Sequence, residues 1–217
     1  MVLAEWDERI ADERTLTVVH AACPTALRRI LHPDIALAIW QRNPGDEIRA
    51  ELASLVLDGV DDILFESGIG TLAPLLADTM DKAGYPDMPA LRRDIVMLAR
   101  QHAAIAGDRN VRIRLEVVET DSCRKFHADY VPVRTITTYL GQGTQWIAAG
   151  SAEAANTPDG SGIEQITAGA VAMFKGHLWQ RIPTILHRSP PVGDSGEQRL
   201  VLVVDPAAVG NERASAA

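Results

Sequence analysis

The sequence predicts an α+β fold in which helices of the first half support an antiparallel β-sandwich or barrel in the second. Apolar residues recur at helical spacing in three stretches between residues 46 and 105, and at strand spacing from residue 111 onward. Beyond residue 110 the strand-like runs follow one another with turn signals between them and no intervening helix, which argues against a parallel sheet. Hydrophobic residues make up 47% and charged residues 23% of the 217, the balance of a compact water-soluble chain with enough apolar side chain for one domain.

Residues 1–109 read as a mainly helical support layer with short strands. Thr15-Leu16-Thr17-Val18-Val19-His20 has strand composition, and Pro24 opens a short helix through Ile30. The apolar run from Ile35 to Trp40 suits a buried strand or a helix equally, with Trp40 in the core. After the turn at Asn43-Pro44-Gly45, residues Ile48, Leu52, Leu55 and Val56 mark a helix that Gly59 ends or breaks. Leu72, Leu75, Leu76 and Met80 form one face of a second helix over 71–83, closed by Gly84. Pro89 opens a third, which runs to Ile105 with Leu91, Ile95, Leu98 and His102 on its buried stripe. A lone histidine on such a stripe belongs to the core.

Residues 110–206 form the expected β core. Val111 to Glu119 alternates apolar and charged residues, so one face is buried and the other polar. Arg134-Thr135-Ile136-Thr137-Thr138-Tyr139-Leu140 is rich in β-branched residues and closes at Gly141-Gln142-Gly143. Gly150 to Gly162 is poor in large apolar residues and reads as a surface loop or lid. Ala170 to Phe174, Thr184 to His187 and Leu200 to Asp205 complete the strands, and 207–217 reads as a frayed tail.

The formal net charge of −8 gives no field that favours a nucleic-acid backbone, and no apolar run approaches membrane-spanning length. The acidic residues near the N-terminus are unlike a secretory signal, so the expected location is cytoplasmic. Cys23 and Cys123 are too few for a disulfide framework and are expected as thiols.

The chemistry centres on Cys123-Arg124-Lys125-Phe126-His127-Ala128-Asp129-Tyr130. Side chains two residues apart in an extended chain share a face, so His127 and Asp129 can reach one metal ion, with His187 as the third candidate ligand. Two imidazoles and one carboxylate make the facial set that holds non-haem Fe(II) with positions left open, and the same donors suit zinc or manganese. The competing reading of His127 and Asp129 is a hydrogen-bonded pair bracing a turn. Arg124, Lys125 and Arg134 are either a solvated face or a source of positive potential for an anion. Arg199 is either part of the site or the surface partner of Glu197 or another acid. Lys175 and His177 either reach the same mouth or sit in an exposed loop. Trp146 and Trp179 are pocket walls or packing residues. Cys123, with His127, Asp129 and His187, offers an alternative zinc set, which a metal-storing or metal-sensing protein would use.

From Phe126 to Trp146, with His187 sixty residues after His127 and Arg199 twelve after His187, the chain resembles the metal-binding core of the iron(II)/2-oxoglutarate-dependent dioxygenases. The resemblance implies a double-stranded β-helix, a jelly-roll and cupin-like core, flanked by the N-terminal helices. It implies His127, Asp129 and His187 as iron ligands and Arg199 as the bidentate clamp on the co-substrate carboxylate, with Tyr139 and Arg134 beside the co-substrate. Arg188 is a second basic candidate. The implied activity is oxidation of a small molecule or side chain, and the alternative is a cupin-like protein that binds zinc or iron without oxygenase activity. The phrases Cys123-Arg124-Lys125-Phe126-His127, Thr138 to Trp146 and His187-Arg188-Ser189-Pro190-Pro191 are similar to a bacterial domain-of-unknown-function family numbered eighteen twenty-six.

Overall fold

A computed structural model describes residues 17–120, 125–151, 162–191 and 196–207. Among these, the α-helices are α1 (Asp46–Ala53), α2 (Leu72–Lys82) and α3 (Pro89–Ala106), and the short helix that Pro24 opens is a 3-10 helix over Pro24–Leu31. The strands of the first half are β1 (Val18–Ala21), β2 (Leu37–Trp40) and β3 (Ile63–Gly68). Those of the second half are β4 (Asn110–Val118), β5 (Val133–Leu140), β6 (Gln145–Ala148), β7 (Glu164–Gln165), β8 (Val171–Lys175), β9 (Ile185–Arg188) and β10 (Arg199–Pro206). The frayed-tail expectation, beyond Ala207, and the loop expectation at 152–161 fall outside the described residues, as do Cys123 and Arg124.

Two sheets face one another. The larger has the order β1-β2-β8-β5-β10-β4-β3, the smaller β7-β6-β9, and His127 adds a bridge to His187 on β9 at the smaller sheet's edge. From β4 onward the chain crosses repeatedly between them: β4 large, His127 small, β5 large, β6 and β7 small, β8 large, β9 small, β10 large. That winding, with antiparallel pairing between neighbours, is the double-stranded β-helix. Strands β1, β2 and β3 from the first half extend the large sheet at both edges, β1 pairing parallel to β2.

Strand alternation builds two cores from one sheet. Val111, Ile113 and Leu115 of β4 and Leu200, Leu202 and Val204 of β10 face the helices, where they meet Leu91, Ile95 and Leu98 of α3. Val201 and Val203 face the other way, with Ile136, Phe174 and Ile185, into the space between the sheets. Strand β10 is covered on both faces, which explains its unbroken apolar run.

The ends of the elements follow local chemistry. Gly84 and Gly107 take positive φ, 82° and 74°, after α2 and α3. The Glu51 carboxylate accepts from the Ala90 and Leu91 backbone N–H groups at 2.8 Å, satisfying two donors at the start of α3. Helix α1 stops at Ala53, before Leu55 and Val56, where Ser54 Oγ donates to Glu51 O at 2.8 Å. The run at 35–40, open between helix and strand in the sequence, resolves into β2, whose Leu37, Ala38 and Ile39 are buried. Trp40 is partly buried against the helix-side core.

His102 lies on the buried face of α3, fully enclosed, with Nδ1 2.9 Å from Thr135 Oγ1 and Nε2 without a partner among the described residues. Burial is the largest influence on this imidazole and lowers its pKa to about 4; the Asp205 and Asp108 charges oppose that, and Arg134 reinforces it. The folded pKa lies below the unfolded value of about 6.5, so stability is complete above pH 6.5 and declines as the unfolded chain gains a proton that the native state refuses. Lowering the pH from 7 to 5 should remove about 2 kcal/mol through this residue. Urea unfolding at both pH values should show that extra loss in the wild type and not in His102→Gln.

Candidate metal centre

Two backbone hydrogen bonds position the site. His127 N donates to His187 O at 3.0 Å and His187 N to His127 O at 2.9 Å, so residues sixty apart in sequence stand directly opposite each other. Their rings approach to 4.8 Å between centroids, and Phe174 packs with its ring 4.6 Å from that of His187. Asp129, two residues beyond His127, joins them: one ligand-type atom from each of the three side chains falls within 4.8 Å of the others.

The two imidazoles each bring Nε2 toward Asp129. His127 Nδ1 lies 2.9 Å from Lys125 O; a carbonyl only accepts, so the neutral ring carries its proton on Nδ1 and leaves Nε2 unprotonated. His127 Nε2 is 3.7 Å from Asp129 Oδ1, and His187 Nε2 is 3.1 Å from Asp129 Oδ2. Burial lowers the His187 pKa, against the opposing pull of the Asp129 charge, which favours the neutral form. For Asp129 burial acts to raise the pKa, but contacts with His127 and His187 and the Arg134 charge outweigh it and hold the carboxyl well below the usual carboxylate range.

Asp129 Oδ2 is buried and has no well-formed hydrogen bond among the described residues, although His187 Nε2 is close. A lone pair on that nitrogen would face a carboxylate lone pair. Ligand atoms about 2.1 Å from one ion at right angles sit about 3 Å apart, so His187 Nε2 and Asp129 Oδ2 stand at the spacing of two ligands of one divalent cation, which would satisfy the orphaned oxygen. The donor set fits iron, zinc or manganese. The side chains of His187 and Asp129 are 7% and 11% exposed against 36% for His127, which leaves the cluster open on one side.

That open side faces a cavity of about 540 Å³ between the sheets, a volume typical of small-molecule sites. Ile136, Val201 and Val203 line its apolar floor. Arg199 lies at the closed end, 2% exposed, where its guanidinium donates to Gln142 O at 2.6 Å, Ser189 Oγ at 2.9 Å and Thr138 Oγ1 at 3.3 Å. Every one of those acceptors is neutral. Among the described residues no carboxylate comes within ion-pair distance, and burial lowers the Arg199 pKa to about 10, with Glu197 opposing, so it remains charged near neutrality. Glu197 instead accepts from Gln142 N and Nε2 at 3.1 and 2.8 Å.

The structure brings His127, Asp129, His187, Arg134 and Arg199 to one cavity and leaves Tyr139 out of it. Tyr139 stands five residues from Arg134 on β5 and therefore on the opposite face, where its hydroxyl donates to Asp94 Oδ2 at 2.7 Å. Arg42 completes that buried group, its fork meeting Asp94 at 2.5 and 2.7 Å. Arg134 is no solvated residue: it bonds to both Asp129 and Asp205. Arg188 lines the cavity with its guanidinium 4.3 Å over the Phe126 ring, whereas Trp146 and Trp179 do not line it. Lys175 is buried on the helix-facing parity of β8, its ammonium donating to His32 O at 2.6 Å.

Sequence reasoning missed Asp205, Ser189, Thr138 and Gln142. Asp205 had a signal: an acid directly after the apolar run Leu200–Val204, in phase with Val201 and Val203 on the inter-sheet face.

The model of a family described as proteins of unknown function, DUF1826, matches residues 21–205. The chain belongs to this family. No curated protein matches it in sequence. Solved structures with a similar arrangement include a BsmA homologue from Methylobium petroleophilum, at 14% identity and TM-score 0.45, covering 83% of this chain and 91% of that one. Another is a full-length Neurospora crassa protein in complex with alpha-KG and thymine, at 14% identity and TM-score 0.43, covering 90% and 87%. A third is the Arabidopsis thaliana dioxygenase for auxin oxidation in complex with 2-oxoglutarate, at 13% identity and TM-score 0.33, covering 76% and 73%. All three scores lie below 0.5, so these structures assign neither substrate nor reaction to the DUF1826 chain. Among the described residues no helix is long and apolar enough to cross a membrane.

The placement of Tyr139 carries a direct consequence. Tyr139→Phe removes a buried hydrogen bond to an ionised carboxylate and should lower stability by about 1.5–3 kcal/mol in urea unfolding. Divalent-metal affinity, measured by calorimetric titration, should be unchanged.

Proposed function

We propose that this chain is a non-haem Fe(II)- and 2-oxoglutarate-dependent oxygenase acting on a small molecule or side chain. The observation that carries the reading is the pairing, within one cavity, of an open His127–Asp129–His187 cluster with a buried Arg199 that has no carboxylate partner among the described residues. A facial set with positions left open suits oxygen and a chelating co-substrate. A buried guanidinium among neutral acceptors suits a planar carboxylate, which would meet a fixed fork without displacing an existing ion pair.

The spacing supports the same pairing. Ser189, which accepts from Arg199, lies two residues beyond His187 in the sequence, and His187, Ser189 and Arg199 all line the one cavity.

In this reading His127, Asp129 and His187 hold the iron, which when bound supplies activation of oxygen for oxidation of the substrate. The protein's part is to bind and orient. Lys125 O fixes the His127 tautomer, Phe174 fixes the His187 ring, and Thr138, Ser189 and Gln142 hold Arg199 in place. Ile136, Val201 and Val203 supply the apolar part of the lining against which a substrate can pack.

Anaerobic titration with Fe(II) and then 2-oxoglutarate is the test. A visible charge-transfer band should develop only with both present, and His127→Ala should abolish it. Arg199→Met should weaken 2-oxoglutarate binding by at least roughly tenfold, the scale of a lost charge-assisted fork, while metal still binds. Tight Zn(II) binding that needs Cys123 and ignores 2-oxoglutarate would instead establish a metal-handling protein. Absence of any metal binding, with no loss in His187→Ala, would sink both readings.

A further inference from the structure

We infer that Arg134 is a positioning residue for the metal ligand Asp129, anchored by Asp205, and not a ligand of the co-substrate. The inference rests on the metal reading above and adds a role for two residues outside the ligand set. Arg134 sits on the inter-sheet face of β5, beside Asp205 at the end of β10. Its Nε and Nη2 atoms donate to Asp205 Oδ1 and Oδ2 at 2.7 and 2.8 Å, a bidentate fork that fixes the guanidinium plane. The remaining group, Nη1, donates to Asp129 Oδ1.

One carboxylate oxygen of Asp129 is thereby claimed, and the other, Oδ2, is turned toward His187 Nε2 with no hydrogen bond of its own among the described residues. A carboxylate held by one oxygen offers a single directed donor, whereas an unheld one can rotate or chelate through both. The arginine thus sets the denticity and direction of the ligand. Three of its five N–H groups go to two carboxylates, whose combined charge already exceeds its own. Arg199, whose acceptors among the described residues are all neutral, is the contrasting case.

The charge arrangement makes the inference testable by sign. A guanidinium beside a cation site repels the cation, and Asp205 offsets that repulsion; Arg114, 3.8 Å from Asp205 Oδ2 and 3.1 Å from Glu116, is the next charge outward. If Arg134 acted through charge alone, replacing it with a neutral residue would tighten metal binding, and lysine would reproduce the wild type. If it acts by holding Asp129, the neutral variant weakens binding, and lysine, a point charge without a fork, fails to restore it.

The experiment is titration of the full chain with Mn(II), read from the loss of the free-ion EPR signal, in wild type, Arg134→Gln, Arg134→Lys, His127→Ala and Tyr139→Phe. Arg134→Gln should weaken Mn(II) binding by roughly 10–100-fold, the range for loss of an outer partner of a metal ligand, and Arg134→Lys should fall in the same range. Tyr139→Phe, which loses stability on the other face of the sheet, should bind as the wild type does, separating positioning from general destabilisation. Binding that is unchanged or tighter in Arg134→Gln, or fully restored by lysine, overturns the inference while leaving the metal reading intact. If Arg134→Gln does not fold, the lysine variant decides by the same criterion. Mn(II) binding that is absent in the wild type, or indifferent to His127→Ala, overturns the metal reading and this inference with it.

Discussion

The site depends on a single pair of backbone hydrogen bonds, the reciprocal exchange between His127 and His187 at 3.0 and 2.9 Å. An antiparallel pair of this kind sets which side chains are neighbours without requiring anything of the side chains themselves. Here it is the place where the segment after β4 reaches the small sheet, so closing the β-helix and assembling the cluster are one event. The candidate ligands stand across a sheet edge because the winding puts them there. Each crossing between the sheets then adds a wall: β5 and β10 the floor, β9 the deep histidine, and the approach to β5 the carboxylate.

Both faces of the large sheet carry a buried ionic group, and the two differ in kind. On the helix side, Arg42, Asp94 and Tyr139 satisfy one another. Buried groups of this type are expensive to break and are not by themselves a source of stability, so their value lies in fixing how α3 seats on the sheet. On the inter-sheet side, Arg134 joins Asp129 to Asp205, and Asp129 Oδ2 is left without a hydrogen bond among the described residues. A buried carboxylate oxygen in that position is costly unless something pairs with it.

The helices and central strands were legible in the sequence because each is both periodic and punctuated. Strands β4, β5 and β10 declare themselves through alternation or β-branched runs, and Gly84 and Gly107 close their helices through a backbone conformation that glycine adopts without strain. Strand β3 gave no such signal: Ile63-Leu64-Phe65 sits between Asp61-Asp62 and Glu66, and it becomes a strand by pairing along β4. The His-x-Asp pair was legible because a spacing of two is a statement about one face. Tyr139 was misplaced by family resemblance, although its odd distance from Arg134 along one strand already put the two on opposite faces. The role of Asp205 was hidden because it arises from register between β5 and β10, which no single stretch encodes.

The two-faced character of β5 and β10 has an evolutionary consequence. Residues 133, 135, 137 and 139 of β5, and 200, 202 and 204 of β10, turn toward the helices, while 134, 136, 138, 199, 201, 203 and 205 turn toward the cavity. Substitutions can therefore accumulate in one register without disturbing the other. A lineage could remodel what the cavity accepts, one alternate residue at a time, on a scaffold whose foldability is written in the residues between.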